Sequence, residues 1–293
     1  MRWERLRRSS NVTDSRGRGG GGGRLPGGGK GLGLTGILIV VVIAMVMGKN
    51  PLELLSLLDA GQQQTAPSAS SRTPLPDPQD PAVEFVRAVL GDTEDAWGEI
   101  FAASGSRYEP AGLEVFEGGV TTACGFASSA VGPFYCPGDR KVYIDLQFFR
   151  ELETRFRAAG DFAQAYVIAH EVGHHIQTLT GVSARVNAAR QRGEEVKGDG
   201  GLLVRQELQA DCYAGVWAHS AQRRFDILEP GDLEEALNAA SAIGDDRLQK
   251  QAQGRVVPDS FSHGTSEQRM RWFRLGFERG SVGACDTFAA SRL

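Results

Sequence analysis

The chain is poor in the features that mark several broad classes of protein. Its 293 residues hold only 5 histidines and 4 cysteines, with a formal net charge of -4. Without a basic surplus there is no electrostatic footprint for nucleic acid, and no such partner is expected. The cysteines show no CxxC spacing, so a zinc ribbon is excluded. No internal repeat is present. With 41% hydrophobic and 23% charged residues, the composition also excludes collagen-like, coiled-coil and wholly disordered chains. The length allows one large domain or two small ones.

One residue type is in excess. The chain has 38 glycines, nearly twice the roughly 7% of average usage, and many lie before residue 34. Arg2, Arg5, Arg7, Arg8, Arg16, Arg18, Arg24 and Lys30 share that segment with only Glu4 and Asp14. Residues 1–33 are therefore expected to be a disordered Arg/Gly-rich tail. Leu34 to Met47 (LTGILIVVVIAMVM) then carries no charge, and flanking glycines extend the uncharged run to 18 residues, 31–48. This is close to a bilayer span. The positive charges before it, against Lys49 after it, place the N-terminus in the cytoplasm. The expectation is a single-pass membrane anchor over 34–48 with the remainder outside the cytoplasm. A cleaved signal peptide fits less well, because no small-x-small site follows.

Residues 49–80 form a linker rich in Gln, Ser and Pro over its second half. A folded domain over 81–293 opens at Asp80-Pro81, an N-cap followed by a first-turn proline, with a helix over about 81–91. The four cysteines suit an oxidising compartment. Cys124–Cys136 with Cys212–Cys285 is the preferred of three connectivities, against the alternative of four buried free thiols.

The chemistry concentrates in residues 161–181, DFAQAYVIAHEVGHHIQTLTG. Asp161 and Gln164 have the spacing of a capping box and Gly181 marks a stop, with a nearly all-apolar helix between them. His170 and His174 stand at i and i+4, so they share one face and could hold a single Zn2+. Glu171 is placed to serve a water rather than the metal, as the arrangement HEVGH requires. His175 points about 100° away and is expected to bind a side chain or carbonyl. A hydrolytic zinc needs a third protein ligand, and the extended motif with a third histidine is absent. Glu207, in the helical run RQELQADCYAGVWA (205–218), is the best candidate. Asp211, one turn on, would accept the free N–H of a ligating histidine. Alone, this acidic pair reads equally as a solvated helix face.

HEVGHHIQ followed by ELQADCYAGVW resembles the neutral zinc metallopeptidases of bacterial membrane-anchored proteins. The likeness extends to CGFASSAVGPFYCPGDRKVYIDLQFF (124–149), AIGDDRLQ (242–249), PDSFSHGTSEQRMRWF (258–273) and RLPGGGKGLGL near the start. The resemblance implies a gluzincin-type site, with His170, His174 and Glu207 on zinc and Glu171 as the catalytic residue.

Further readings come from pattern. Residues 142–149 alternate as a half-buried strand, either an edge that pairs with a peptide substrate or a plain sheet strand. Residues 124–136 form a cysteine-pinned loop lining a cleft. His263 is the candidate donor to an oxyanion. Residues 190–201 read as a polar surface loop, with helices near 232–247 and 265–279. The expectation is a mainly helical α+β, zincin-like domain with a small sheet behind one transmembrane helix. Its activity would be zinc-dependent hydrolysis of a peptide or protein, with Glu171 as general base. The alternative is a membrane-tethered, zinc-containing scaffold without catalysis. No oligomeric state is legible.

Overall fold

A computed structural model describes residues 1–17 and 80–293. A 3-10 turn at Trp3–Arg5 and strand β1 (Val12–Asp14) precede helix α1 (Pro81–Ala103). Strand β2 (Gly112–Phe116), the hairpin β3 (Gly119–Thr122) and β4 (Gly125–Ser128), then β5 (Phe134–Cys136) and β6 (Lys141–Asp145) follow. The rest is helical: α2 (Gln147–Thr154), α3 (Asp161–Leu179), α4 (Val182–Gln191), α5 (Leu202–Phe225), α6 (Asp232–Ala242), α7 (Asp245–Gln253) and α8 (Ser266–Arg279). This is the mainly helical α+β architecture that the element pattern suggests.

The main sheet runs β1-β2-β6-β5, with β1, β2 and β6 parallel and β5 antiparallel to β6. The core lies between this sheet and the helices, where Trp97, Tyr166, Phe162, Trp217 and Phe273 are almost fully buried. Helix α3 runs through the middle of it and packs on α1, α5 and α6. Its apolar residues are buried around most of its circumference, as its sequence requires.

Both disulfides form in the preferred connectivity, Cys124–Cys136 and Cys212–Cys285. Asp80 caps α1 by accepting from the Ala82 N–H at 2.9 Å, with Pro81 in the first turn. His175 Nε2 donates to the Glu109 carbonyl at 2.7 Å, and its Nδ1 accepts from the Tyr135 hydroxyl at 3.0 Å. It holds β5 against α3 and stands apart from the face that carries His170 and His174.

Several expectations are corrected. Residues 1–17 are not part of a disordered tail: Met1, Leu6 and Val12 are buried in the core and β1 pairs with β2. Their arginines pair with carboxylates of the domain, so a basic composition that lacks a core of its own borrows one. Helix α1 continues twelve residues past 91 to Ala103. Gly91 does not stop it; a Cβ there would meet the Arg7 carbonyl oxygen, and the glycine admits residues 7–9 against the helix.

Asp161 forms no capping box with Gln164, because its carboxylate accepts from the Met1 ammonium at 2.7 and 2.9 Å. The capping box is at Thr265 and Gln268. Residues 142–149 are not one strand: β6 ends at Asp145, helix α2 begins at Gln147, residues on both faces of β6 are buried, and its two edges pair with β2 and β5. A strand flanked on both edges cannot pair with a peptide, and the free edge beside α3 is β5 instead. The helix expected over 232–247 breaks at Gly244 into α6 and α7. The polar loop 192–201 is tied down, with Gly198 donating to Phe261 and Asp199 to Pro258. The expected membrane span 34–48 lies outside the described residues, as does the linker 49–79. Among the described residues no helix is long and apolar enough to cross a membrane.

Candidate metal centre

Helices α3 and α5 cross at closest approach near Gly173, the glycine inside HEVGH. A Cβ there would lie 3.0 Å from both the Cα and the carbonyl oxygen of Ala210, so the two backbones touch without an intervening side chain. That contact brings one face of α5 onto the histidine face of α3. His170 Nε2 lies 3.2 Å from Glu207 Oε2, and His174 Nε2 lies 3.5 Å from the same oxygen. One ligand atom from each of His170, His174 and Glu207 falls within 4.8 Å of the others. No fourth His, Cys, Asp or Glu among the described residues joins them.

Each imidazole is held from behind. His170 Nδ1 lies 2.8 Å from Asp211 Oδ1, and His174 Nδ1 lies 2.9 Å from Gln177 Oε1. Each Nδ1 is engaged from behind, so Nε2 is the nitrogen that faces Glu207 in both rings. Asp211 is itself fully buried and fully used. Tyr166 donates to its Oδ1 at 2.5 Å, and Arg269 donates to both oxygens at 2.9 and 3.0 Å. Gln177 donates onward to the Gln206 carbonyl at 2.6 Å. A buried carboxylate and a buried guanidinium would each be costly alone; together, with Tyr166 and His170, every strong donor and acceptor is satisfied.

The charges follow this arrangement. Burial opposes a positive His170, but the Asp211 carboxylate outweighs it and, with Glu207, lifts the imidazole to about 10. His174 is raised by Glu207, again against burial. Glu207 is also opposed by burial, yet the two imidazoles hold it well below the usual carboxylate range. Without a cation the site thus keeps a proton beside its carboxylate. A divalent metal would replace that proton, which is the linkage expected of histidine ligands.

The group opens into a cleft of about 860 Å³. Glu171 is buried at 8% exposure and lines this cleft. Tyr135, on the free edge of β5, and the segment Ser129–Phe134 form another wall, so the disulfide-pinned loop does border it. Phe148, Phe156, Ile243 and Leu248 supply apolar surface. His263 lies on the opposite rim, half exposed, with Nδ1 3.1 Å from Asp245 Oδ1. Asp245 also accepts from the backbone N–H groups of Ser262, His263 and Gly264. That cage fixes the loop, and the Asp245 hydrogen bond raises the His263 pKa.

Of the six residues singled out from sequence, His170, Glu171, His174, Glu207 and His263 line one cleft, and Asp211 lies buried behind His170. Sequence reasoning missed Gln177, Tyr166, Arg269 and Asp245. A signal existed for two of them. Gln177 is at i+3 from His174, and Arg269 interrupts the apolar stripe that Trp272, Phe273 and Gly276 form on α8. An arginine on a core-facing stripe demands a buried anion.

The profile of the family described as "Putative neutral zinc metallopeptidase" matches residues 1–288. The uncharacterized protein YpfJ of Escherichia coli (strain K12) is 48% identical over 291 residues, covering 99% of this chain and all of the relative. The uncharacterized protein Rv2575 of Mycobacterium tuberculosis (strain ATCC 25618 / H37Rv) is also 48% identical, over 191 residues, 62% of this chain and 63% of the relative. No solved structure matches. With the profile spanning nearly its full length and one relative aligned end to end, the chain belongs to this metallopeptidase family.

Proposed function

We propose that the protein is a zinc-dependent peptidase and that His170, His174 and Glu207 hold the metal. The single observation that carries this reading is the convergence of two imidazoles and one carboxylate from two helices at the floor of an open cleft. Two histidines and a glutamate are a donor set of catalytic zinc, and the absence of a fourth donor among the described residues suits an open coordination position. A closed structural site, as the scaffold alternative needs, would require that fourth ligand.

Zinc bound there would supply a Lewis acid for the scissile carbonyl and acidify a coordinated water. The chain's own residues supply the rest. Asp211 and Gln177 keep both imidazoles in the tautomer that presents Nε2. Glu171, on the cleft wall one residue after His170, takes a proton from water and delivers it to the amide nitrogen as the C–N bond breaks. His263, held by Asp245, offers an N–H to the oxyanion. A peptide or protein substrate would lie extended along the free edge of β5, its backbone pairing with Phe134–Cys136.

The test uses the full chain. Wild type and Glu171→Gln should each bind one zinc, and only wild type should hydrolyse peptides. Hydrolysis retained by purified Glu171→Gln would overturn the role of Glu171. Failure of the wild type to bind zinc with both disulfides intact would overturn the metal site.

A further inference from the structure

The N-terminal segment and the domain are built for each other. Gly91 leaves room on the surface of α1 for the backbone of residues 7–9, although glycine is a poorer helix former than alanine. Ser9 N–H donates to the Arg87 carbonyl at 2.9 Å. Glu94, 9% exposed in the following turn, accepts from Ser9 Oγ at 2.6 Å, from Asn11 Nδ2 at 2.7 Å and from Arg7 at 2.7 Å. Three polar side chains converging on one buried carboxylate are a specific joint rather than a charged tail settling on a surface. Beyond it, β1 adds to the sheet in parallel register, Val12 opposite Leu113 and Asp14 opposite Val115.

The base of the intervening chain is also closed. Arg16 donates to Asp14 at 2.6 Å and pairs with Asp80 at 2.9 Å. The ends of the two described segments, near residues 16 and 80, thus lie within the reach of one ion pair. A bilayer's hydrocarbon core is about 30 Å thick. A single crossing between these points would place them on opposite faces, which the ion pair and the β1–β2 ladder forbid.

We infer that residues 1–17 and residues 80–293 lie on the same side of any bilayer that the apolar run 34–47 enters. Arg2, Arg7, Arg8 and Arg16 are then structural partners of Asp226, Glu94, Asp95, Glu84 and Asp80. They are not a free cytoplasmic cluster that orients a span. This revises the expected topology and is independent of the metal centre.

The experiment places single cysteines in the full chain, whose described cysteines are all paired. Ser10→Cys and Asn238→Cys are both on exposed positions. Right-side-out and inside-out vesicles from cells producing each variant are treated with a membrane-impermeant maleimide. The expected result is labelling of both sites in the same preparation and loss of labelling of both in the other. A chain found wholly in the soluble fraction, labelled at both sites, agrees with the inference. Labelling of Ser10→Cys in one vesicle orientation and Asn238→Cys in the opposite one overturns the inference.

Two further readouts guard against undocking by the substitutions. A Thr13→Cys, Glu114→Cys pair, opposite each other in the ladder, should cross-link within one chain in membranes. Gly91→Leu should remove the protection of Arg7 and Arg8 from trypsin while zinc content stays unchanged. Equal cleavage of wild type and Gly91→Leu at those arginines would show that the segment is not docked, and the inference would fail.

Discussion

Helix α3 carries two clusters of acidic and metal-competent groups, one at each end, and they have opposite fates. At its N-terminal end, Asp161, Asp232 and Glu235 bring three carboxylate oxygens within 4.8 Å of one another. There the cation is the chain's own: the Met1 ammonium lies 2.7 Å from Asp161 and 3.4 Å from Asp232. Toward the other end, His170, His174 and Glu207 are as closely grouped, but among the described residues Glu207 forms ion pairs with the two imidazoles and with no Lys or Arg. The difference lies in what stands behind each ligand. Asp161 and Glu235 are partly exposed and answer to the ammonium and a backbone N–H. His170 and His174 have their far nitrogens fixed by Asp211 and Gln177, and their near nitrogens open onto a cleft. Proximity of carboxylates marks a place for a cation; fixed lone pairs beside a substrate-sized cavity mark a place for a catalytic one.

Substitutions at the two ends should separate these roles. The largest effect belongs to His170→Ala or His174→Ala, which should abolish stoichiometric zinc binding, measured by metal analysis after dialysis. Glu171→Gln should lower kcat/KM by about 10²–10⁴ with zinc retained, the range of general acid–base contributions. His263→Gln should lower it by about 10²–10³, the cost of one oxyanion donor. Asp245 raises the His263 pKa, so the charged donor persists above its ordinary value and is lost as pH climbs through the raised one. The wild-type kcat/KM should therefore fall on the alkaline side, and in His263→Gln that limb should flatten. An unchanged alkaline limb would remove His263 from the reaction.

Asp211→Asn should weaken zinc by about 10–100-fold, the usual cost of losing the group behind a ligating histidine. Chelator competition measures this directly, and normal affinity would show that Asp211 serves packing alone. Asp161→Asn, at the other end of the helix, should leave zinc affinity unchanged. Its ion pair is partly exposed, so the loss should be only about 1 kcal/mol in denaturant unfolding. A zinc defect in Asp161→Asn would break the comparison, because it would mean that the two ends are coupled through the helix.

The candidate metal centre was legible because each half sits on a single helix, where i and i+4 spacing alone decides which side chains share a face. Two such pairs, His170 with His174 and Glu207 with Asp211, needed only the assumption that the helices meet. The docking of residues 1–17 was not legible. Three buried apolar residues are spread over twelve positions, and the specificity resides in Ser9, Asn11 and Arg7 finding Glu94, which no local pattern announces. Strand β6 was misread for a different reason. Its alternation suggested one wet face, but Tyr143 packs with Phe116, Cys136, Val120 and Phe134, and Asp145 accepts from Gly118 and Ser129, so that face is buried too. Asp161 showed the spacing of a cap and found a distant partner instead.

The glycine between the two histidines bears on how freely this centre can vary. With Gly173 against the backbone of Ala210, even alanine would press on atoms that cannot rotate away. Any larger side chain would pry the helices apart and draw Glu207 from the imidazoles, although all three ligands remained in place. Of the two positions that the motif leaves unspecified, the second is therefore fixed by its neighbour in space. A library randomised at 172 and 173 and selected for zinc retention should return glycine almost alone at 173, and at Val172 a wider set of small and medium apolar residues.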